Sequence, residues 1–72
     1  MQDLHDGTGK FIGYLEEYDC GNETRAFDQR GVFVGYFDHR YGYAYDEGGV
    51  LKGDNIAVLG QLIAESNSQY DY

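Results

Sequence analysis

The chain has 72 residues, with 13 acidic against 5 basic side chains, a formal net charge of −8, 11 glycines and no proline. A chain of this length forms one domain and buries only about 60% of its unfolded surface, so a second subunit is an expected source of further stability. The negative charge disfavours direct binding to nucleic acid, because phosphates repel it, while the 17% aromatic content argues against disorder.

The first predicted element is a β-hairpin over residues 4–15. Asp6 followed three residues later by Gly9 is typical of a type I turn whose last residue is left-handed, with the Asp side chain accepting from nearby amides. Such loops close hairpins with a glycine bulge, which sets His5 opposite Phe11. The acidic stretch 16–23 that follows is predicted to be a loop.

A second hairpin is predicted over residues 24–37. Its turn uses Asp28 and Gly31, so Gly31 should have a positive φ and Phe27 should lie opposite Phe33. The returning strand is apolar on both faces, a pattern typical of a strand that is covered on both sides.

The third hairpin is predicted over residues 43–53, with Tyr45 opposite Leu51. Asp46 and Gly49 form its turn. All three hairpins share the pattern ring–Asp–x–x–Gly–x–(Phe/Leu)–x–Gly, which indicates an internal repeat. The second glycine of each copy, at positions 13, 35 and 53, suggests that a ring from a neighbouring unit lies over it.

After Gly53 the apolar period changes from two to about 3.6, and Asp54 or Asn55 can cap a helix. The pattern predicts a helix over residues 55–65, although Gly60 costs it about 1 kcal/mol. Residues 66–72 lack apolar periodicity and are predicted to be a mobile tail. The sequence therefore predicts an all-β fold, a single domain over residues 1–72, in which about six short strands form a meander of three repeated hairpins with a short C-terminal α-helix.

These copies resemble the tyrosine–aspartate repeats of the RHS family, and resemble more closely short bacterial and phage proteins of the four-fold beta-flower type. The resemblance covers residues 5–53, with its clearest copy at 27–37. In RHS repeats an arginine commonly follows the glycine, where this chain has Lys10, Val32 and Val50. The beta-flower resemblance implies hairpins around a pseudo-symmetry axis and a bacterial or phage origin. The resemblance implies no catalytic residue in this chain.

No residue pattern predicts catalysis, a cofactor or a metal site, so we expect a protein that is not an enzyme. Cys20 stands alone, which excludes a disulfide framework and fits a reducing compartment. With no basic or apolar leader and no apolar stretch long enough to span a bilayer, we expect a cytoplasmic protein without membrane contact. Calcium needs oxygen ligands clustered at alternate positions, which these turns do not supply. The structural turn residues are Asp6, Gly9, Asp28, Gly31, Asp46 and Gly49.

The tyrosines are the candidate interaction residues, in particular Tyr14, Tyr36, Tyr41 and Tyr43. Packing between repeat units, with the hydroxyls at the surface, is the simpler explanation for them. Three functions remain open: a small acidic interaction or structural module of the kind that phages or mobile elements encode; an acidic DNA mimic that occupies a basic cleft; or a tyrosine-lined module for a glycan or small ligand. The expected partner is a second copy, in a homodimer, or another protein.

Overall fold

The computed structural model describes residues 1–70 and contains one six-stranded antiparallel sheet with one α-helix. The strands follow one another across the sheet in chain order, so each pairs with the next. Their bounds are β1 (Gln2–His5), β2 (Phe11–Tyr18), β3 (Glu23–Asp28), β4 (Phe33–Asp38), β5 (Tyr43–Asp46) and β6 (Leu51–Gly53), followed by helix α1 (Val58–Ser68). The prediction of a mostly β meander with one short C-terminal helix is confirmed.

The turns that follow β1, β3 and β5 have the geometry that their Asp and Gly residues predict. In each, the glycine amide donates to the Asp carbonyl at 3.0 Å, and the Asp carboxylate accepts from the amides two and four residues later. Gly31 has a φ of 81°, in the left-handed region, and Gly9 and Gly49 lie within a few degrees of it. Phe27 pairs with Phe33 across the central turn, as predicted.

Residues 16–23 were expected to form a loop, and that prediction is wrong. Strand β2 continues to Tyr18, a short 3-10 turn follows over Asp19–Gly21, and β3 begins at Glu23. Arg25 of β3 lies opposite Glu16, forms an ion pair with Glu23 at 3.3 Å and lies over the Tyr18 ring, so it offsets part of the acidic charge on one face of the sheet. The reversal itself places three consecutive residues, Asp19, Cys20 and Gly21, in left-handed conformations.

The helix is displaced toward the C-terminus from its predicted range of 55–65. Asn55 acts as a cap one turn earlier than α1 proper, since its side chain accepts from the amide of Ala57 at 2.8 Å. At the other end α1 continues to Ser68, so the prediction of a mobile tail is wrong for residues 66–70. This end of the helix is ordered by a polar contact instead of by apolar packing, because Ser66 donates a hydrogen bond to Asp28. Positions 71 and 72 of that predicted tail lie outside the described residues.

The core lies between α1 and one face of the sheet. Leu59, Leu62 and Ile63 of the helix are buried against the small and branched residues Ala26 and Val34. What lies over the second glycines of the pattern is not a ring, contrary to expectation. A Cβ at Gly35 would lie 2.7 Å from Leu62 Cδ1, a Cβ at Gly53 would lie 2.8 Å from Val58 Cγ2, and one at Gly13 would collide with the backbone of residues 27 and 28. Alternation along the strands places most of the rings on the opposite face.

Candidate functional site

Most of the aromatic side chains lie on the face of the sheet that α1 does not cover, which we name the aromatic face. Strand register and alternation place there the rings of His5, Phe11, Tyr14, Tyr18, Phe27, Phe33, Tyr36, Tyr43 and Tyr45. Most of these rings are half-buried by one another, while Tyr43 is 43% exposed and Phe11 37%. The apolar pattern of β4 predicted cover on both sides. Among residues 1–70, the helix supplies it on one side only.

Neighbouring strands hold the rings in stacked pairs. Tyr14 stacks on Phe27 with centroids 4.7 Å apart, and Tyr36 stacks on Tyr45 at 5.0 Å, both pairs with nearly parallel planes. A separation close to the strand spacing of about 4.8 Å means that the rings stand side by side with their flat surfaces turned toward each other. The stacked rings therefore present mainly edges and hydroxyls to the solvent.

One end of the aromatic face is acidic. Glu16, Glu23 and Asp38 point to this side, together with Arg25. The Tyr18 hydroxyl donates to Glu16 at 2.8 Å, and this hydrogen bond, together with burial, raises the pKa of Tyr18 above its usual value. Carboxylates thus stand directly beside tyrosine rings.

A depression of about 240 Å³ opens at this acidic end. Glu23 and Asp38, which are paired across β3 and β4, line it together with the Tyr36 ring, and Asn22 and Arg40 complete the lining. Arg40 approaches Asp38 with its Nε at 3.6 Å, but its side chain remains 58% exposed. The depression is therefore bordered by two carboxylates, one ring and a cation that is largely in solvent.

The structure brings together three of the four tyrosines singled out from the sequence. Tyr14, Tyr36 and Tyr43 share the aromatic face, whereas Tyr41 lies in the turn between β4 and β5 and is 72% exposed. Sequence reasoning missed Glu16 and Glu23, because they were assigned to a loop. Continuing the alternation of residues 11–15 through Tyr18 would have placed Glu16 on the same side as Tyr14.

A second polar site joins the central turn to the end of α1. Asp28 is fully buried, and its carboxylate accepts from the Ser66 hydroxyl at 2.6 Å and from the Tyr70 hydroxyl at 2.7 Å, besides two turn amides. Burial alone would raise the pKa of Asp28, but these hydrogen bonds outweigh it and hold the pKa below its usual value. Asn67 extends the link, since its side chain accepts from the Gln29 amide and donates to the Ile12 carbonyl. Ser66, Asn67 and Tyr70 all lie in the segment that was predicted to be a tail.

The remaining chemical groups are dispersed. Cys20 is exposed on the 3-10 turn, and His39 Nε2 lies 2.6 Å from the hydroxyl of the buried Thr24, an arrangement that fastens the turn after β4 to β3. In the described part of the chain, no group of three or more His, Cys, Asp or Glu side chains is arranged to hold a metal ion. Within residues 1–70, no helix has the length and apolar character needed to cross a membrane.

Comparison of the chain with protein-family models, with curated proteins and with solved structures finds no match.

Proposed function

We propose that the protein is a small, acidic, non-enzymatic interaction module that binds another protein through its aromatic face. The observation that carries this proposal is the concentration of rings on the side of the sheet opposite the helix. Soluble proteins rarely leave a large contiguous aromatic surface without cover, and rings of Tyr and Phe are the residues enriched at protein interfaces. The site we propose includes Tyr14, Tyr36 and Tyr43.

A second copy of the chain is the alternative occupant of this face. A pairing that sets the acidic ends of two copies against each other would bring their Glu16, Glu23 and Asp38 carboxylates together, and like charges brought together at an interface cost several kcal/mol. The net charge of −8 adds to this repulsion. The charge distribution thus favours a different protein over a homodimer.

Glycan binding is less well supported by the geometry. Sugars bind by lying flat on an exposed ring, whereas the stacked pairs Tyr14–Phe27 and Tyr36–Tyr45 turn their flat surfaces toward each other. The DNA-mimic alternative requires a basic partner and is compatible with the carboxylates at the end of the aromatic face. It therefore differs from our proposal in the identity of the partner rather than in the surface.

We further propose that the hairpins descend from one repeated unit, in keeping with the resemblance to the beta-flower proteins. Equivalent positions carry equivalent contacts, since the Tyr14–Phe27 and Tyr36–Tyr45 stacks both join one hairpin to the next. The single exposed thiol of Cys20 supports a reducing, cytoplasmic setting for this module.

Photo-cross-linking tests the proposed face. The photoreactive residue p-benzoylphenylalanine would replace either Tyr43, on the aromatic face, or Tyr41, in the turn nearby, and each variant would be irradiated in the cell that produces the protein. We expect a discrete cross-linked protein from position 43 that position 41 does not capture, and that excess unmodified chain displaces. Equal products from both positions, no product from position 43, or a product at twice the chain mass would contradict the proposal.

A further inference from the structure

We propose that the acidic end of the aromatic face is a binding site for an arginine side chain, presented by an extended, arginine-rich segment of the partner. The inference rests on the proposed interaction function and gives the partner a chemistry. Its centre is the depression between Glu23, Tyr36 and Asp38.

The shape and lining of the depression suit a guanidinium group. Its volume of about 240 Å³ is ample for one arginine head group, and Glu23 and Asp38 border it as direct cross-strand neighbours. A planar guanidinium donates to two carboxylates at once, and the Tyr36 ring borders the same depression. An ammonium group has the charge but neither the planarity nor the fork of donors.

The chain already contains this mode of binding within itself. The guanidinium carbon of Arg25 lies 4.1 Å from the centroid of the Tyr18 ring, while its Nε is 3.3 Å from Glu23. Ring and carboxylate thus hold one guanidinium on the same face, immediately beside the depression. A partner's arginine at the next position would repeat the arrangement with Tyr36 and Asp38.

Arg40, the side chain that lies beside Asp38 in the depression, is weakly held. Arg40 reaches Asp38 only at 3.6 Å and Asp19 at 4.0 Å, with 58% of its side chain in solvent. Exposed ion pairs of this kind contribute little to stability, so a partner's arginine can replace Arg40 beside Asp38 without a large loss.

The charge of the chain and the width of the aromatic face define the rest of the partner segment. A chain with net charge −8 attracts a basic segment at long range and repels acidic or phosphorylated ones. Six strands spaced about 4.8 Å apart make the face about 24 Å wide, which an extended segment of about seven residues crosses. Hepta-arginine is therefore the minimal probe, and hepta-lysine is its charge-matched comparison.

The decisive experiment measures binding of acetylated, fluorescein-labelled hepta-arginine by anisotropy to the intact chain and to two variants. Glu23→Gln alters the depression, whereas Glu17→Gln makes the same change in charge on the neighbouring strand, at an exposed position on the opposite side of the sheet. We expect Glu23→Gln to weaken binding about tenfold and Glu17→Gln less than about twofold, since only the first removes a charged hydrogen-bond acceptor. Hepta-lysine should bind more weakly than hepta-arginine, and its Kd should respond to both variants alike.

Equal effects of the two variants on hepta-arginine, or equal binding of the two peptides, would overturn the inference, because both results describe unspecific attraction to an acidic surface. The proposed function would survive that outcome if cross-linking from position 43 still captured a partner. Conversely, the failure of cross-linking together with specific hepta-arginine binding would refute the protein partner at Tyr43 while keeping the guanidinium site.

Discussion

The carboxylate of Asp28 accepts a 2.7 Å hydrogen bond from the hydroxyl of Tyr70, which is 42 residues further along the chain. The same carboxylate accepts from Ser66, and the guanidinium of Arg30 lies 3.9 Å from the Tyr70 ring. Asp28 is fully buried, whereas its counterpart Asp6 in the first turn is exposed. The central turn therefore serves two purposes: it closes a hairpin and it fixes the C-terminal end of the helix on the sheet.

Removing one donor of this link should destabilise the fold measurably. Ser66→Ala deletes the hydroxyl that donates to Asp28 at 2.6 Å. We expect the free energy of unfolding to fall by about 1–2 kcal/mol, because a hydrogen bond to a charged group contributes about 1.5–3 kcal/mol and the better helix propensity of Ala offsets about 0.5 kcal/mol. Urea unfolding followed by circular dichroism measures the change.

Ser68→Ala is the matched control, since the Ser68 hydroxyl donates only to the Glu65 carbonyl at the exposed end of the same helix. Its effect should stay within about 0.5 kcal/mol, as for most surface substitutions. If the two variants unfold at the same urea concentration, the Asp28–Ser66 bond does not hold the helix in solution.

Stability should also depend on pH through Asp28. Because hydrogen bonds outweigh burial and lower the pKa of Asp28, its ionised form is favoured in the folded state. The resulting stabilisation is complete above the unfolded pKa of about 3.9 and is lost as the pH falls through the lower folded pKa. We expect Asp28→Asn to be less stable than the parent chain at pH 7, with the difference shrinking as the pH falls through the folded pKa of Asp28. A difference that stays constant over this range would show that the charge of Asp28 contributes nothing.

The extent to which the sequence predicted the fold depends on the kind of interaction. Turn chemistry is local: Asp and Gly three residues apart specify the left-handed glycine, so Gly31 and the pairing of Phe27 with Phe33 were predictable. The helix end was not, since Ser66 and Tyr70 show no apolar period and are ordered by a carboxylate far away in the chain.

The candidate site was predictable only in part, for a similar reason. The sequence analysis singled out Tyr14, Tyr36 and Tyr43 as candidate interaction residues, and the alternation of strand residues explains why they share a face. The acidic neighbours of these rings were missed, because acidic residues are poor strand formers and their stretch was assigned to a loop. In the sheet Arg25 lies beside them, opposite Glu16 and in an ion pair with Glu23.

The left-handed turn glycine provides a direct test of the central hairpin. Gly31 has a φ of 81°, a conformation that costs a side chain about 1–2 kcal/mol and a β-branched one more. With a total stability of only a few kcal/mol expected for so short a chain, Gly31→Val should largely unfold the protein at 37 °C. Gly48→Ala should be nearly silent, because a Cβ there would meet only the Asp46 carboxylate at 3.4 Å. Thermal melts compare the two; a lower melting temperature for Gly48→Ala would refute the assignment of the turn.

Substitutions at two further glycines distinguish the packing of the helix on the sheet from the stability of the helix itself. A Cβ at Gly35 would lie 2.7 Å from Leu62 Cδ1 and would also collide with the Tyr45 carbonyl, so neither the helix nor the next strand could keep its position. We expect Gly35→Ala to lower the free energy of unfolding by at least about 3 kcal/mol, the upper range for overpacking a core. Gly60, in the exposed part of α1, has no atom within 4 Å of such a Cβ, and Gly60→Ala should stabilise the protein by about 1 kcal/mol through helix propensity alone. Urea unfolding of both variants measures the difference. If Gly35→Ala were tolerated as well as Gly60→Ala, Leu62 could not be packed against β4, and the aromatic face would not be the side of the sheet that the helix leaves open.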